Sequence, residues 1–271
     1  MSFNQRLAAV QQRSDSLLCV GLDPEPERFP APWRGEAARI FDFCARIVDA
    51  TKDLVCAFKP QIAHFAAHRA EDQLENLMGY IRRVAPDVPV ILDAKRGDIG
   101  STAQQYAREA FLRYQADAVT LSPFMGFDSI EPYLAYDGRG MILLCRTSNP
   151  GGGDLQAQTL ANGDRLYEHI ARLAAGPWNR SGRLGLVVGA TFPAELARVR
   201  ELAPTLPLLI PGIGAQGGDA HATVAAAWRA DGPIVVNSSR AVLYADGGDG
   251  FAAAAREAAR QTRDALNAGR R

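Results

Sequence analysis

Eight short apolar runs, each followed by a segment with helical character, limit the fold of this chain more than any other feature. The runs are continuous rather than alternating, which is typical of parallel strands that are covered on both faces. They lie at residues 18–24, 54–60, 88–92, 116–121, 140–146, 184–190, 207–212 and 233–237. Helices are predicted at residues 2–14, 35–51, parts of 61–84, 101–114, 128–134, 160–173, 193–203, 219–230 and 251–266.

This alternation over 271 residues predicts the α/β class, in the form of a (β/α)8 TIM barrel, a fold of about 250 residues. No linker, charge block or low-complexity stretch divides the sequence. We therefore expect a single barrel domain over residues 1–271, with an N-terminal helix and a C-terminal helix. A doubly wound open sheet is the alternative, but no GxGxxG motif follows the first apolar run.

The amino-acid composition limits the kinds of partner that we expect the chain to bind. The 30 Lys and Arg residues balance the 30 Asp and Glu residues, which gives no support for a general surface for nucleic acid or anionic membrane. No apolar run approaches the roughly 18 residues of a membrane span. Residues 1–6 lack the apolar core of a signal peptide. We expect a cytoplasmic protein that binds neither nucleic acid nor membrane.

The four cysteines, Cys19, Cys44, Cys56 and Cys145, form no CxxC pair. Three of them lie within apolar, strand-like runs. We expect buried, reduced thiols that pack as small hydrophobic groups, rather than disulfides or metal ligands.

The most informative polar residues follow the third apolar run. Asp93 and Lys95 are two apart in a strand and so point to the same side, and Asp98 follows at the turn after Gly97. Burying such charges is unfavourable unless each is paired. A salt bridge at the end of a strand, capped by Asp98, is one interpretation, and a catalytic group is the other.

Polar residues at the ends of the other runs favour catalysis, because the C-terminal ends of barrel strands meet at one mouth. Several converging side chains are harder to explain as caps than one is. The residues at these ends are Asp23, Lys59, Asp93, Lys95, Ser148, Gln216 and Arg240.

The connections after the seventh and eighth runs predict a phosphate site. Four glycines lie within residues 211–219, and Ser238, Ser239 and Arg240 follow the eighth run. Glycine lets backbone N–H groups approach an anion, and Arg can bind phosphate oxygens with two donors. These two loops are the usual phosphate site of the fold, so we expect a phosphate monoester as substrate.

Four motifs together carry a family resemblance: Phe58-Lys59-Pro60, Asp93-Ala94-Lys95-Arg96-Gly97-Asp98-Ile99, Thr147-Ser148-Asn149-Pro150-Gly151, and Pro211-Gly212-Ile213-Gly214-Ala215-Gln216-Gly217-Gly218. With them the chain resembles the orotidine 5′-monophosphate decarboxylase family, in its longer bacterial subgroup, over nearly its whole length. The resemblance implies conversion of orotidine 5′-monophosphate to uridine 5′-monophosphate and CO2, with no metal or organic cofactor. It also implies a homodimer.

The resemblance implies a catalytic role for four residues of an alternating charged tetrad: Lys59, Asp93, Lys95 and Asp98. Lys95 would be the proton donor to C6 of the pyrimidine, and Asp93 would lie near the leaving carboxylate. Asp98 would reach, together with Thr102, into the active site of the partner subunit.

The implied substrate contacts are spread over the other loops. Asp23 and Lys59 would bind ribose hydroxyls, Ser148 the pyrimidine, and Gln216 and Arg240 the phosphate. Pro211, Gly212 and Gly217 complete the implied substrate-binding residues. The chain departs from the commoner family pattern at Arg96, Gly100 and Ser239, where a bulky apolar residue, Pro and Gly respectively are usual.

Three other functions compete with this one. Metal-dependent sugar-phosphate enzymes of the same barrel family place a carboxylate for Mg²⁺ where this chain has Lys59, and lysine is a poor neighbour for a cation. A Schiff-base aldolase needs a neutral Lys95, whereas Asp93 and Asp98 favour its charged form. A non-catalytic nucleotide-binding module would leave the alternating charges without a purpose.

Three further residues receive structural interpretations. His64 and His68 have a spacing that can bind a metal, but no third ligand is near them in the sequence. We expect them to pack or face solvent. Arg96 is interpreted as a salt-bridge or interface residue rather than a catalyst.

Overall fold

Eight parallel strands form the centre of the molecule in a computed structural model that describes residues 1–213 and 218–270. The strands are β1 (Leu18–Leu22), β2 (Ala57–Pro60), β3 (Ile91–Arg96), β4 (Ala118–Leu121), β5 (Gly140–Arg146), β6 (Leu184–Val188), β7 (Leu208–Pro211) and β8 (Ile234–Ser238). They pair in the order β2-β1-β8-β7-β6-β5-β4-β3. The parallel bridges Phe58–Val90 and Gln61–Asp93 then join β2 to β3 and close the ring. The predicted (β/α)8 barrel is confirmed.

Helices surround the barrel and connect its strands. They are α1 (Phe3–Ser14), α2 (Ile40–Thr51), α3 (Ile62–Ala66), α4 (Glu71–Val84), α5 (Gly100–Arg108), α6 (Leu166–Ala175), α7 (Pro193–Leu202), α8 (Ala220–Ala227), α9 (Arg240–Leu243) and α10 (Phe251–Ala268). The predicted N-terminal and C-terminal helices correspond to α1 and α10. Most strand residues are fully buried, as their continuous apolar sequences require.

Two predicted helices begin later than the sequence pattern suggested. Residues 37–39 form a 3-10 turn, and α2 begins only at Ile40. The helix predicted from residue 160 begins at Leu166, because Gly163 adopts a left-handed φ of 87° that interrupts any helix before it. The Glu168 carboxylate then accepts the N–H of Arg165, at 2.8 Å, and fixes the first turn.

Other predicted helices differ in type. The segment predicted as a helix over 101–114 is α5 followed by a π-helix at Glu109–Arg113. The short helix predicted over 128–134 is a pair of 3-10 turns, Phe127–Ser129 and Glu131–Ala135. Pro132 has no N–H to donate to the carbonyl of residue 128, so the two turns do not join into one helix.

Helix α1 covers the N-terminal ends of the strands. Its side chains Phe3, Leu7 and Val10 are buried, and the Phe3 ring lies so close to Gly140 that a Cβ there would be 2.5 Å from it. The barrel is therefore closed at this end, and the C-terminal ends of the strands are left for a site.

The cysteines are all buried and free, as predicted. None of the helices in the described ranges is long and apolar enough to cross a membrane.

Candidate active site

A cavity of about 400 Å³ opens at the C-terminal ends of the strands. Most of the predicted site residues line it together. They are Asp23, Lys59, Asp93, Lys95, Ser148, Pro211, Gly212 and Arg240. Residues from strands far apart in sequence thus meet at one mouth, as the barrel predicts.

Three of these residues form a continuous chain of opposite charges. Asp93 accepts from Lys59 Nζ through Oδ2 and from Lys95 Nζ through Oδ1, each at 2.7 Å. The Lys59 side chain is 5% exposed and Asp93 is 9% exposed, whereas Lys95 is 45% exposed. One ammonium is therefore locked inside the barrel, and the other stands at the edge of the cavity, where it can reach a ligand.

The buried pair is held in its charged form. Burial alone would raise the pKa of Asp93, but the ammonium groups of Lys59 and Lys95 outweigh it and hold that pKa well below its usual range. Burial would likewise lower the pKa of Lys59, but Asp93 and then Asp23 raise it above the usual lysine value. Each charge is stabilised by its neighbour rather than by water.

Lys95 has an uncommon backbone conformation. Its φ is 46°, in the left-handed region that few non-glycine residues occupy. The β3–β4 pairing shifts register between Leu92 and Arg96, so the strand bulges at this point. Such bulges re-aim side chains next to active sites.

Two buried oxygen atoms at the cavity have no hydrogen-bond partner within the described ranges: Oδ1 of Asp23 and Oδ1 of Asn237. Both residues line the cavity. Buried acceptors are normally paired, so this part of the cavity suits a ligand that brings hydroxyl donors. Sequence reasoning found Asp23 but missed Asn237, because an Asn in an apolar run gives no motif.

The described residues on either side of the predicted phosphate loop contact each other. The N–H of Gly218 donates to the carbonyl of Gly212 at 3.0 Å, and Gly212 has a φ of 104° that favours glycine. A Cβ on Gly218 would lie 2.7 Å from that carbonyl oxygen. The predicted contacts Gln216 and Gly217 lie outside the described residues.

Asp98 and Thr102 stand apart from the cavity of their own chain. The Asp98 carboxylate accepts the N–H of Ile99 at 2.8 Å, and it makes no ion pair with any residue that the structure describes. Thr102 is exposed on α5. Their predicted role in a partner's site stays a prediction.

Arg96 forms a salt bridge, which is one of the two structural roles predicted for it. Its guanidinium pairs with Glu109 at 2.9 Å and lies 4.5 Å from the centre of the Tyr106 ring. His64 contacts the carbonyl oxygen of Pro24 through Nδ1, at 3.2 Å. Throughout residues 1–213 and 218–270, no three His, Cys, Asp or Glu side chains form a group that could hold a metal ion.

Fold and site together define a barrel enzyme that carries its charged groups at the C-terminal ends of the strands. Residues 16–265 match the family model described as "Orotidine 5'-phosphate decarboxylase / HUMPS family". The chain belongs to this family.

Similar proteins from other organisms share one name, which states a function. A protein of Methylibium petroleiphilum named orotidine 5'-phosphate decarboxylase is 77% identical over 278 residues, which is 100% of both chains. A protein of the same name from Paracidovorax citrulli is 75% identical, again over 100% of both. The solved structure of Leishmania donovani OMP decarboxylase has a TM-score of 0.86 and 41% identity, and it covers 100% of this chain and 99% of its own.

Proposed function

We propose that this protein decarboxylates orotidine 5′-monophosphate to uridine 5′-monophosphate and CO2, the last step of de novo UMP synthesis. The observation that carries the proposal is the Lys59–Asp93–Lys95 chain of charges at the cavity. The names of the full-length relatives support the same reaction.

The chemical problem is the electron pair left on C6 of the pyrimidine when its bond to the carboxylate breaks. No neighbouring group of the ring delocalises that pair. CO2 leaves as that bond breaks, and the Lys95 ammonium stabilises the electron pair electrostatically and then transfers a proton from Nζ to C6, which gives UMP. Preorganised charge of this kind is usually the largest catalytic contribution. The half-exposed Lys95 then regains a proton from solvent.

Asp93 keeps that ammonium charged and oriented. Its two oxygens are each bound to a lysine, so the carboxylate has little freedom to turn. It would also lie near the carboxylate of the substrate and repel it, which destabilises the ground state.

The rest of the substrate binds away from the bond that breaks. The unpaired Oδ1 of Asp23, together with Lys59, suits the ribose hydroxyls, and Ser148 suits the pyrimidine. Arg240 and the glycine-rich loop after β7 suit the phosphate. Gln216 and Gly217 belong to the same predicted contact, and binding energy from this remote group can be used at the reacting carbon.

The proposed reaction uses no metal or organic cofactor. A magnesium-dependent enzyme of the same barrel family would need carboxylate oxygens free for the cation. Here both oxygens of Asp93 are bound to ammonium groups, one of them that of Lys59 on β2. EDTA should leave turnover unchanged, and loss of turnover in EDTA that Mg²⁺ restores would favour the metal-dependent reaction.

The enzyme is proposed to be a cytoplasmic homodimer. Exposed apolar side chains lie in the loops after β3 and β4, namely Ile99, Phe124 and Met125, which are 47%, 78% and 50% exposed. An exposed apolar patch of this kind suits a contact between copies. It lies beside Asp98, which is the residue predicted to cross to the partner. Four free, buried thiols suit a reducing compartment.

The direct test is the loss of ultraviolet absorbance as orotidine 5′-monophosphate is decarboxylated. We expect Lys95→Ala to lower kcat/KM by at least about 10³-fold, because the charge that stabilises the carbanion is lost. Lys52, an exposed lysine paired with Asp49, is the matched control, and Lys52→Ala should keep wild-type activity. Robust turnover by folded Lys95→Ala would remove Lys95 from its role.

A further inference from the structure

Thr120 is a buried residue of β4 that the sequence analysis did not single out. Its side chain is 1% exposed, and it does not line the cavity. It contacts β3 at the two residues that carry the proposed chemistry, Asp93 and Lys95.

The Thr120 hydroxyl makes three hydrogen bonds. Oγ1 donates to Asp93 Oδ1 at 2.9 Å and accepts the backbone N–H groups of Ala94 and Lys95, each at 3.0 Å. A hydroxyl has one proton and two lone pairs, so its hydrogen-bonding capacity is fully used.

The backbone explains why a side chain is needed there. In the β3–β4 ladder Leu92 pairs with Val119, and the next pair is Arg96 with Leu121. The intervening residues of β3 are out of register, so the N–H groups of Ala94 and Lys95 have no place in the regular ladder. Thr120 Oγ1 supplies the acceptor, while Lys95 turns into its left-handed conformation, with φ 46°.

We infer that Thr120 is a positioning residue for the decarboxylation: one hydroxyl fixes the backbone that aims Lys95 and the carboxylate that holds its ammonium. This inference rests on the proposed function. Asp93 Oδ1 is shared by Lys95 Nζ and Thr120 Oγ1. Loss of the hydroxyl therefore releases the carboxylate and the strained backbone at the same time.

The expected loss is in kcat. A displacement of about 1 Å in a reacting group can reduce rate by about 10²-fold, and Thr120 is remote from the predicted phosphate contacts. Thr120→Val has nearly the shape of threonine but lacks the hydroxyl. We expect it to lower kcat by about 10- to 100-fold, with KM within about threefold of wild type.

A serine variant separates the effect of the Thr120 hydroxyl from the effect of the side-chain shape. Thr120→Ser keeps the donor and both acceptors and should retain kcat within about threefold of wild type. The control for losing a buried threonine hydroxyl is Thr51→Val, because the one bond of the Thr51 hydroxyl to the described residues is to the Ile47 carbonyl of its own helix. This variant should keep wild-type kcat.

Unchanged kcat in Thr120→Val overturns the inference, and so does a Thr120→Ser variant that loses as much as Thr120→Val. If circular dichroism finds Thr120→Val unfolded, Thr120→Cys replaces it, and its weak thiol should give a kcat well below that of Thr120→Ser; equal values overturn the inference. Absence of turnover in the wild-type protein contradicts the proposed function itself. If the wild-type protein is active and Thr120→Val is equally active, the proposed function stands and only the role of Thr120 is contradicted.

Discussion

At the scale of single residues, the chain uses lysine sparingly. Its lysines are Lys52, Lys59 and Lys95, and every other basic side chain among its 30 Lys and Arg residues is arginine. Two of these lysines are bound to Asp93 at the cavity. Arginine holds its proton at any ordinary pH, whereas lysine can transfer one. The choice of lysine at position 95 therefore fits proton transfer and not merely charge.

This distinction gives a prediction for Lys95→Arg. The variant keeps a cation at the cavity but lacks a transferable proton, so we expect kcat to fall by at least about 10³-fold. Binding of UMP should stay within about threefold, since a positive charge is retained. Stopped-flow or steady-state turnover measures the first quantity and isothermal calorimetry the second. Substantial turnover by Lys95→Arg would mean that the proton comes from another donor.

The Lys59–Asp93 pair gives a prediction for stability against pH. The pKa of Asp93 is lowered on folding, so its contribution is complete above about pH 4 and is lost as the pH falls towards its folded value. The pKa of Lys59 is raised, so its contribution is complete below about pH 10 and is lost as the pH rises through the folded value. The pair is stabilising throughout the neutral range.

Asp93→Asn should then be less stable than wild type by about 3 kcal/mol at pH 7, because it leaves Lys59 buried without its nearest counter-ion. The difference should be constant from about pH 5 to 9 and about 1 kcal/mol smaller at pH 3. Urea unfolding at each pH measures it. Asp42, exposed and paired with Arg39 at 2.9 Å, is the control, and Asp42→Asn should change stability by less than about 1 kcal/mol. A difference for Asp93→Asn that is the same at pH 3 and pH 7 would contradict the lowered pKa.

At the scale of elements, a buried arginine makes hydrogen bonds to the backbone near the N-terminal ends of two strands. Arg200 on α7 is fully buried, and its acceptors among the described residues are all backbone carbonyl groups, at the end of α8 and just before β7 and β8. These are the carbonyl groups of Ala203, Pro204, Leu206, Ala227, Gly232 and Pro233. Burial, and then the nearby Arg229, lowers the pKa of Arg200 to about 10. The residue lies at the end of the barrel opposite the cavity, where side chains serve stability.

Arg200→Ala should therefore lower the free energy of unfolding by about 3–5 kcal/mol, since several buried carbonyl groups lose their donor. The kcat of the folded fraction should be unchanged. Arg198, two residues away and 40% exposed, pairs with Glu168 and Glu201, and Arg198→Ala should lose less than about 1 kcal/mol. Chemical denaturation compares the two. Equal losses would mean that the buried carbonyl contacts contribute nothing of their own.

The strands also show which features could be predicted from the sequence and which could not. The strands were predictable because each is a continuous apolar run, and Asp93 and Lys95 were predictable because they follow one. The bulge that gives Lys95 its left-handed φ was not, because it depends on the register of β3 against β4. Thr120 was missed for the same reason, since a threonine in an apolar run is ordinary in a strand.

At the scale of the whole molecule, one chain brings three of the four predicted charged residues to its cavity. Lys59, Asp93 and Lys95 meet at the cavity, whereas Asp98 lies outside its lining and next to the exposed apolar side chain of Ile99. We propose a dimer formed through the exposed apolar patch in which Asp98 of each chain reaches the site of the other. Symmetric dimers make two such exchanges at once.

A mixed dimer tests this exchange. A dimer of one Lys95→Ala chain and one Asp98→Ala chain, purified through two different tags, has both lesions in one site and none in the other. We expect about half of the wild-type activity, although each parent homodimer is nearly inactive. The matched control combines Lys95→Ala with Asp93→Asn. Those two residues serve the same chain's site, so each site of that mixed dimer carries a lesion and the activity should stay lost. If the Lys95→Ala and Asp98→Ala dimer is also inactive, Asp98 works within its own chain, and the apolar patch must be explained in another way.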